Sequence, residues 1–225
     1  MTASIIFDLD GTLVDSSAVC AAILSDMLRD RGSARVITGS EAMPFLSKGG
    51  TAMVSGLLGA ACVDATADIA EFRARYAQLT TPRDSLYHGV DEGLRKLFRA
   101  GLKLAICSNK PQNLCEKVLS DVGIAHLFTT VMGGGPGRPP KPHTFLLDRT
   151  LEQLGSTASN CMFVGDSELD FAIAASTSIP FLFVSYGYAE QGWNRPELVQ
   201  FGSFLDLVDH ILASRQTRRR DRQAA

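Results

Sequence analysis

Short, largely apolar runs recur along the chain at 4–7, 102–107, 128–132, 161–164 and 181–184. Each is apolar on successive positions rather than on alternate ones, and helix-length sequence separates each from the next. That is the pattern of strands covered on both faces, as in a parallel sheet. The intervening segments carry a helical period. At 90–99, Val90, Leu94, Leu97 and Phe98 form one apolar stripe, and Gly101 follows as a stop. Pro111 opens another helix in which Leu114, Val118 and Leu119 face inward, because proline in a first turn forfeits no hydrogen bond. Residues 143–154 and 169–175 repeat the pattern. Strand and helix alternate, which predicts an α/β fold with a doubly wound, Rossmann-like parallel sheet.

Residues 16–84 break this rhythm. They are rich in Ala, Leu, Met and Ser, hold no β-like run, and show helical stretches at 18–31 and 68–78. The segment reads as a small helical cap inserted into a core made of 1–15 and 85–213, with hinges at 81–84 and just before Ser17. The remaining 214–225 form a basic stretch expected to be a solvated, disordered tail.

Composition narrows the class. Hydrophobic residues make up 45% and charged residues 20% of the 225, the mixture of an ordinary globular protein. A net charge of −2 provides no basic field for nucleic acid. No apolar run approaches the roughly 18–20 residues that a membrane span requires, and the N-terminus does not read as a signal peptide. The five cysteines are scattered and form no C-x-x-C pair, so neither a disulfide framework nor a zinc site is expected, and a cytoplasmic location is.

The chemistry lies at strand ends. Asp8 and Asp10 follow the first run and lead into Gly11-Thr12, where the chain turns. In open α/β sheets ligands sit beyond the carboxyl ends of the strands. Two carboxylates this close call for a cation, and Mg²⁺, which prefers hard oxygen ligands, is the natural guest; a solvated turn with capping aspartates is the alternative. A second acidic group, Asp166 with Asp170 four residues on, follows the run at 161–164. Ser108 ends the second strand and offers a hydroxyl beside amides suited to an anion. Lys141 stands among prolines in P-P-K-P, a stiff presentation of one ammonium.

Together the four pieces resemble the haloacid dehalogenase superfamily: F-D-L-D-G-T at 7–12, S-N-K at 108–110, K-P at 141–142 and G-D-S-x-x-D at 165–170. The insert resembles that family's C1-type cap. Y-H-G-V at 87–90, C-S-N-K-P at 107–111 and G-D-S at 165–167 are most similar to its phosphoglycolate phosphatase group. The resemblance implies a Mg²⁺-dependent phosphatase of a small phosphorylated metabolite, 2-phosphoglycolate or a sugar phosphate, acting through an aspartyl-phosphate. Asp8 would be the nucleophile and Asp10 the general acid and base. Asp8, Asp10 through its backbone carbonyl, and Asp166 would hold the metal. Ser108 and Lys141 would bind the phosphoryl oxygens, with Thr12 and Asn109 beside them, and Asp170 would orient Lys141 or a metal-bound water. An Asp at position 10, where the family's dehalogenases carry Tyr, excludes dehalogenation. A β-phosphoglucomutase-like phosphosugar mutase shares the same aspartates and is the alternative; a catalytically silent member is a third reading.

Three features depart from the pattern or extend it. His143 stands where the family commonly has an acidic residue, read here as a change at a helix start. The glycine run 133–137 lacks a following Gly-Lys-Ser/Thr and is read as a connector. Lys48, beside Gly49-Gly50 in the cap, is the candidate for a second anionic group of the substrate.

Overall fold

The computed structural model describes residues 3–190, 192–193 and 195–223, with side chains through 216. Six strands form one sheet: β1 (Ser4–Phe7), β2 (Lys103–Pro111), β3 (Thr130–Gly134), β4 (Cys161–Gly165), β5 (Phe181–Val184) and β6 (Gln200–Phe201). Their order is β3-β2-β1-β4-β5-β6 and every pairing is parallel. The doubly wound sheet expected from the apolar runs is present. β2 runs four residues further than its apolar run, and β6, only two residues long, carried no apolar signal.

Nine α-helices and four single-turn 3-10 helices complete the described elements; the α-helices are α1 (Ser17–Asp30), α2 (Gly39–Leu46), α3 (Gly50–Leu58), α4 (Ala65–Gln78), α5 (Val90–Arg99), α6 (Gln112–Asp121), α7 (Phe145–Leu154), α8 (Glu168–Ser176) and α9 (Phe204–Gln223). Strand alternation divides the core in two. Ile5 and Phe7 of β1, with Leu104, Ile106, Val164 and Val184, pack on the face covered by α5, α6 and α9. Ile6, Ala105, Cys107 and Phe163 point the other way, against Leu146, Leu147 and Leu154 of α7 and Ile173 and Ala174 of α8. The strand interiors are apolar up to their carboxyl ends because both faces are covered. The five cysteines are free, and no single described helix is long and apolar enough to cross a membrane.

Helices α1–α4 pack on one another over the carboxyl end of β1. Ile23, Leu24, Met27, Leu57, Phe72 and Tyr76 are buried among them. The chain enters and leaves this unit along two adjacent segments. Asp15 N–H donates to Ser85 O at 2.8 Å and Tyr87 N–H to Leu13 O at 3.1 Å, so the crossing lies at 13–15 and 85–87. Of these, α4 also packs against α6.

The expected disordered tail differs in the structure: α9 continues to Gln223, and residues 224–225 lie outside the described ones. No Gly or Pro interrupts 204–225, and its Arg, Gln and Ala are good helix formers, so backbone propensity extends the helix beyond its buried Phe204, Leu207, Val208 and Ile211.

α5 and α9 approach closely at Gly93, where an added Cβ would lie 2.8 Å from two Phe204 ring carbons and from Val208 Cγ2. Helix propensity alone favours Ala over an interior Gly by about 0.5–1 kcal/mol. Both neighbours are buried and stiff, so overpacking reverses the sign. Gly93→Ala is expected to destabilise by about 1–3 kcal/mol, read as a lower urea midpoint; an unchanged or higher midpoint would contradict this packing.

Candidate active site

The site is a product of strand register. Phe7 of β1 pairs with Ile106 of β2 on one side and Val164 of β4 on the other. The residues that follow, Asp8, Ser108 and Asp166, therefore emerge together at the carboxyl edge of the three central strands. Lys141 comes from the segment after β3 and is drawn in by Asn109, whose Oδ1 accepts the Lys141 N–H at 2.7 Å. One motif thus positions the backbone of another.

Asp8, Asp166 and Asp170 are 9%, 1% and 0% exposed, and one oxygen from each falls within a 4.8 Å cluster. Lys141 Nζ, itself buried, lies 2.6 Å from Asp170 Oδ1 and 3.0 Å from Asp8 Oδ1. The first contact is a hydrogen bond. The second is an ion pair without hydrogen-bond geometry, which leaves Asp8 Oδ1 buried and with no hydrogen-bond partner. Asp170 is the most heavily engaged of the three: its Oδ2 accepts from the backbone N–H of Asp166 and Ser167 and from Ser167 Oγ, at 3.2, 3.1 and 2.7 Å. Ser167 and Asp170 form the capping box that starts α8. Asp166 is held by Thr12 Oγ1 at 2.8 Å and by Tyr188 N–H at 2.7 Å.

Glycines make room for this arrangement. At Gly11, with φ +83°, a Cβ would fall 2.1 Å from Asp166 Oδ2, and at Gly187 one would fall 2.3 Å from Asp166 Cβ. Any side chain at either position displaces the carboxylate.

Burial pushes Asp8 up from the ordinary carboxylate value to about 6, with Lys141 opposing and Asp170 and Asp10 adding to the rise. Burial likewise raises Asp166, reinforced by the Asp170 and Asp8 charges. For Lys141 burial favours the neutral amine, but the Asp170 and Asp8 charges outweigh it and hold the ammonium. The floor is therefore short of positive charge. Hard oxygen donors, an unpartnered buried carboxylate oxygen and raised acid pKa values are what a divalent cation such as Mg²⁺ would satisfy. Asp170 accepts four hydrogen bonds, Asp166 two and Asp8 Oδ1 none, so Asp8 and Asp166 are the carboxylates with more capacity left for such an ion.

Asp10 sits apart from this cluster. Lys110 Nζ lies 3.1 Å from each of its carboxylate oxygens, and Ser16 Oγ donates to Oδ1. The Lys110 ammonium also rests 4.2 Å from the centroid of the Tyr76 ring on α4. Its burial would favour the neutral amine, but the Asp10 charge outweighs that and keeps it protonated. Sequence reasoning missed the part played by Lys110, although the residue lies within the quoted S-N-K. The signal was a strand longer than its apolar run.

Asp8, Asp10, Ser108, Asn109, Lys141 and Asp166 line one cavity of about 120 Å³ beneath α1–α4. Two expected substrate contacts are elsewhere. Thr12 does not line the cavity; its buried hydroxyl is spent on Asp166. Lys48 is exposed, with its ammonium 5.6 Å from the Phe45 ring centroid, and is also absent from the lining; the loop before α3 turns it outward. His143 Nδ1 accepts the Phe145 N–H at 3.1 Å, at the start of α7. In the glycine run, a Cβ at Gly133 or Gly134 would strike the backbone of Gln112 or Asn109, so these two glycines let β3 approach the end of β2 and the start of α6.

Residues 5–184 match the family described as haloacid dehalogenase-like hydrolase. A phosphoglycolate phosphatase of Xanthomonas campestris pv. campestris (strain 8004) is 34% identical over 188 residues, covering 82% of this chain and 84% of that protein. One from Pectobacterium atrosepticum is 32% identical over 225 residues, covering 93% and 94%. Among solved structures, a "predicted phosphoglycolate phosphatase" of Haemophilus somnus 129PT superposes with a TM-score of 0.81 at 26% identity, covering 93% of this chain and 97% of that one. CbbY from Rhodobacter sphaeroides in complex with phosphate shares the fold, with a TM-score of 0.75 at 18% identity over 92% and 96% of the two chains. With these likenesses and the clustered strand-end aspartates, the chain belongs to the haloacid dehalogenase-like hydrolase family, among its phosphatases.

Proposed function

We propose that this phosphatase hydrolyses a small phosphomonoester, 2-phosphoglycolate or a sugar phosphate of similar size, by way of a phosphoryl group carried on Asp8. The observation that supports this most directly is Asp8 Oδ1: buried at the cavity floor, free of hydrogen bonds and 3.0 Å from the Lys141 ammonium. A carboxylate oxygen without a donor keeps its lone pairs for attack.

In the first step Asp8 bonds to phosphorus and the bond to the leaving oxygen breaks; that oxygen takes a proton from Asp10. In the second, Asp10 removes a proton from water as the water attacks phosphorus, releasing inorganic phosphate and restoring Asp8. Lys141 and the Ser108 hydroxyl serve the equatorial phosphoryl oxygens, where charge must be balanced for an anionic nucleophile to approach. Lys110 and Ser16 hold the Asp10 carboxylate at the cavity wall. Asp8, Asp166 and the backbone carbonyl of Asp10 are the ligands we assign to Mg²⁺, which when bound supplies Lewis-acid charge neutralisation. Asp170 fixes Lys141 from behind.

A phosphate-release screen over small phosphorylated metabolites, with and without Mg²⁺, tests the reading. Metal-dependent release is expected, with 2-phosphoglycolate among the better substrates. Conversion of a phosphosugar to its isomer without release would assign the mutase reaction instead.

Two further outcomes are expected. Asp10→Asn should lower kcat by about 10²–10⁴-fold while substrate still binds, and near-normal turnover would remove Asp10 from its assigned role. The second concerns pH. Asp8 is held at about 6, above its unfolded value of 3.8. For an acid raised in the folded state, the stabilisation is complete below the unfolded value and is lost as pH climbs through the folded one. The metal-free protein should therefore lose stability across this window. Mg²⁺ binds the ionised form, so the rise in Tm that it produces should be small at about pH 5 and larger at about pH 7.5. Equal shifts at both values would contradict binding at Asp8.

A further inference from the structure

The aspartates and Lys141 occupy only the floor of the cavity; its roof comes from α1–α4 and is mostly apolar, with Leu46, Met53, Ile69 and Phe72 facing in. One cation interrupts that roof. Arg73 of α4 lines the cavity while remaining exposed, and makes no ion pair or hydrogen bond among the described residues. Its neighbours differ: Arg31 is taken up by Asp68 and Glu71, and Arg75 by Asp30 and Glu71. The carboxylates of this helical unit are thus distributed so that Arg73 alone, of these three, is left without one.

Two observations give the arginine a setting. One helical turn along α4, Tyr76 lines the same cavity, is 1% exposed, and carries a buried hydroxyl with no hydrogen-bond partner. A buried phenol hydroxyl with the Ser16 side chain nearby but no bond of full hydrogen-bond geometry is costly, and a ligand oxygen would satisfy it. On the other side, Gly50, the first residue of α3, also lines the cavity, and Arg73 Nη2 lies 3.8 Å from where a Gly50 Cβ would be. The first turn of α3 has no acidic residue and no side-chain cap, so its N-terminal N–H groups reinforce the positive end.

We propose that Arg73, assisted by the Tyr76 hydroxyl, is the specificity-determining residue that receives a second anionic group of the substrate, a role first expected of Lys48. The inference rests on the phosphatase reading above and narrows its substrate class to phosphomonoesters that carry a further anion close to the phosphoryl group. Tyr76 lies against Lys110, which holds Asp10, and Arg73 is about 4.5 Å further along the helix axis. That step suits a short substrate. A carboxylate matches the guanidinium fork in two parallel hydrogen bonds, an arrangement open to the exposed Arg73 side chain.

Three esters of similar length separate the possibilities: 2-phosphoglycolate, with an anionic end, ethyl phosphate, with a neutral one, and phosphoethanolamine, with a cationic one. Wild type is expected to prefer the first. Arg73→Ala should reduce kcat/KM for 2-phosphoglycolate by about 10- to 100-fold, mostly through KM, while ethyl phosphate changes by less than about threefold and phosphoethanolamine improves. Arg73→Lys should recover part of the loss, because the charge returns without the fork. Retained ethyl phosphate turnover also shows that each variant is folded. If a sugar bisphosphate proves the better wild-type substrate and Arg73→Ala loses that preference, the subsite stands with phosphate as its anion. Equal loss on all three esters, no loss on any, or a wild-type preference for the neutral ester would overturn the role of Arg73 and leave the phosphatase reading intact. Absence of Mg²⁺-dependent release from every ester would instead overturn the phosphatase reading, and this inference with it.

Discussion

Everything at the carboxyl edge of the sheet is subject to one constraint: three aspartates are buried there against a single buried ammonium. Asp8, Asp166 and Asp170 set against Lys141 leave two negative charges when all are ionised; the Asp10–Lys110 pair adds none. Burial of each ion costs several kcal/mol unless it is compensated. Such a floor is poorly balanced by the chain alone and is balanced in sign and number by one divalent cation. It explains why Asp8 and Asp166 are both raised while Lys141 stays charged. A divalent ion also converts a floor that would repel a phosphoryl group into one that accepts it.

The fold enforces the constraint through pairings distant in sequence. β1 sits between β2 and β4, so segments about 100 and 160 residues away meet Asp8 at one level. Asn109 fixes the backbone of Lys141, and Asp170 fixes its ammonium. Lys141 is thus held from two elements before any substrate arrives. Such preorganisation is what lets a charge act on a transition state without the cost of reorienting.

Much of this was legible in the chain. The strand runs at 4–7, 102–107, 161–164 and 181–184 are visible because both their faces are buried, and Asp8, Ser108 and Asp166 are visible because each directly follows such a run. What was not legible depends on partners chosen in three dimensions. Lys110 pairs with an aspartate 100 residues earlier in the chain and with a ring on α4, and neither is marked locally. Thr12 looked like a substrate contact by adjacency, yet its hydroxyl belongs to Asp166. Lys48 and Arg73 are both cations of the same helical unit, and only packing decides which one faces the cavity. α2 contains Pro44 and α3 opens at Gly49-Gly50, residues that weaken a helical pattern.

The last of these dependencies joins the roof to the floor. Tyr188 donates its backbone N–H to Asp166 and its hydroxyl to Asp15 Oδ1 at 2.8 Å, while that hydroxyl accepts the Ser16 N–H at 2.7 Å. Ser16 in turn donates to Asp10. The first residues of the helical unit are thereby tied to both Asp166 and Asp10. On the far side of the cavity Tyr76 of α4 rests on Lys110, which grips Asp10 again. The seating of α1–α4 and the orientation of Asp10 are therefore set by the same contacts. A substrate that draws Arg73 and Tyr76 inward would act on Asp10 through Lys110, so recognition of the non-reacting end would be connected to the group proposed to move the proton.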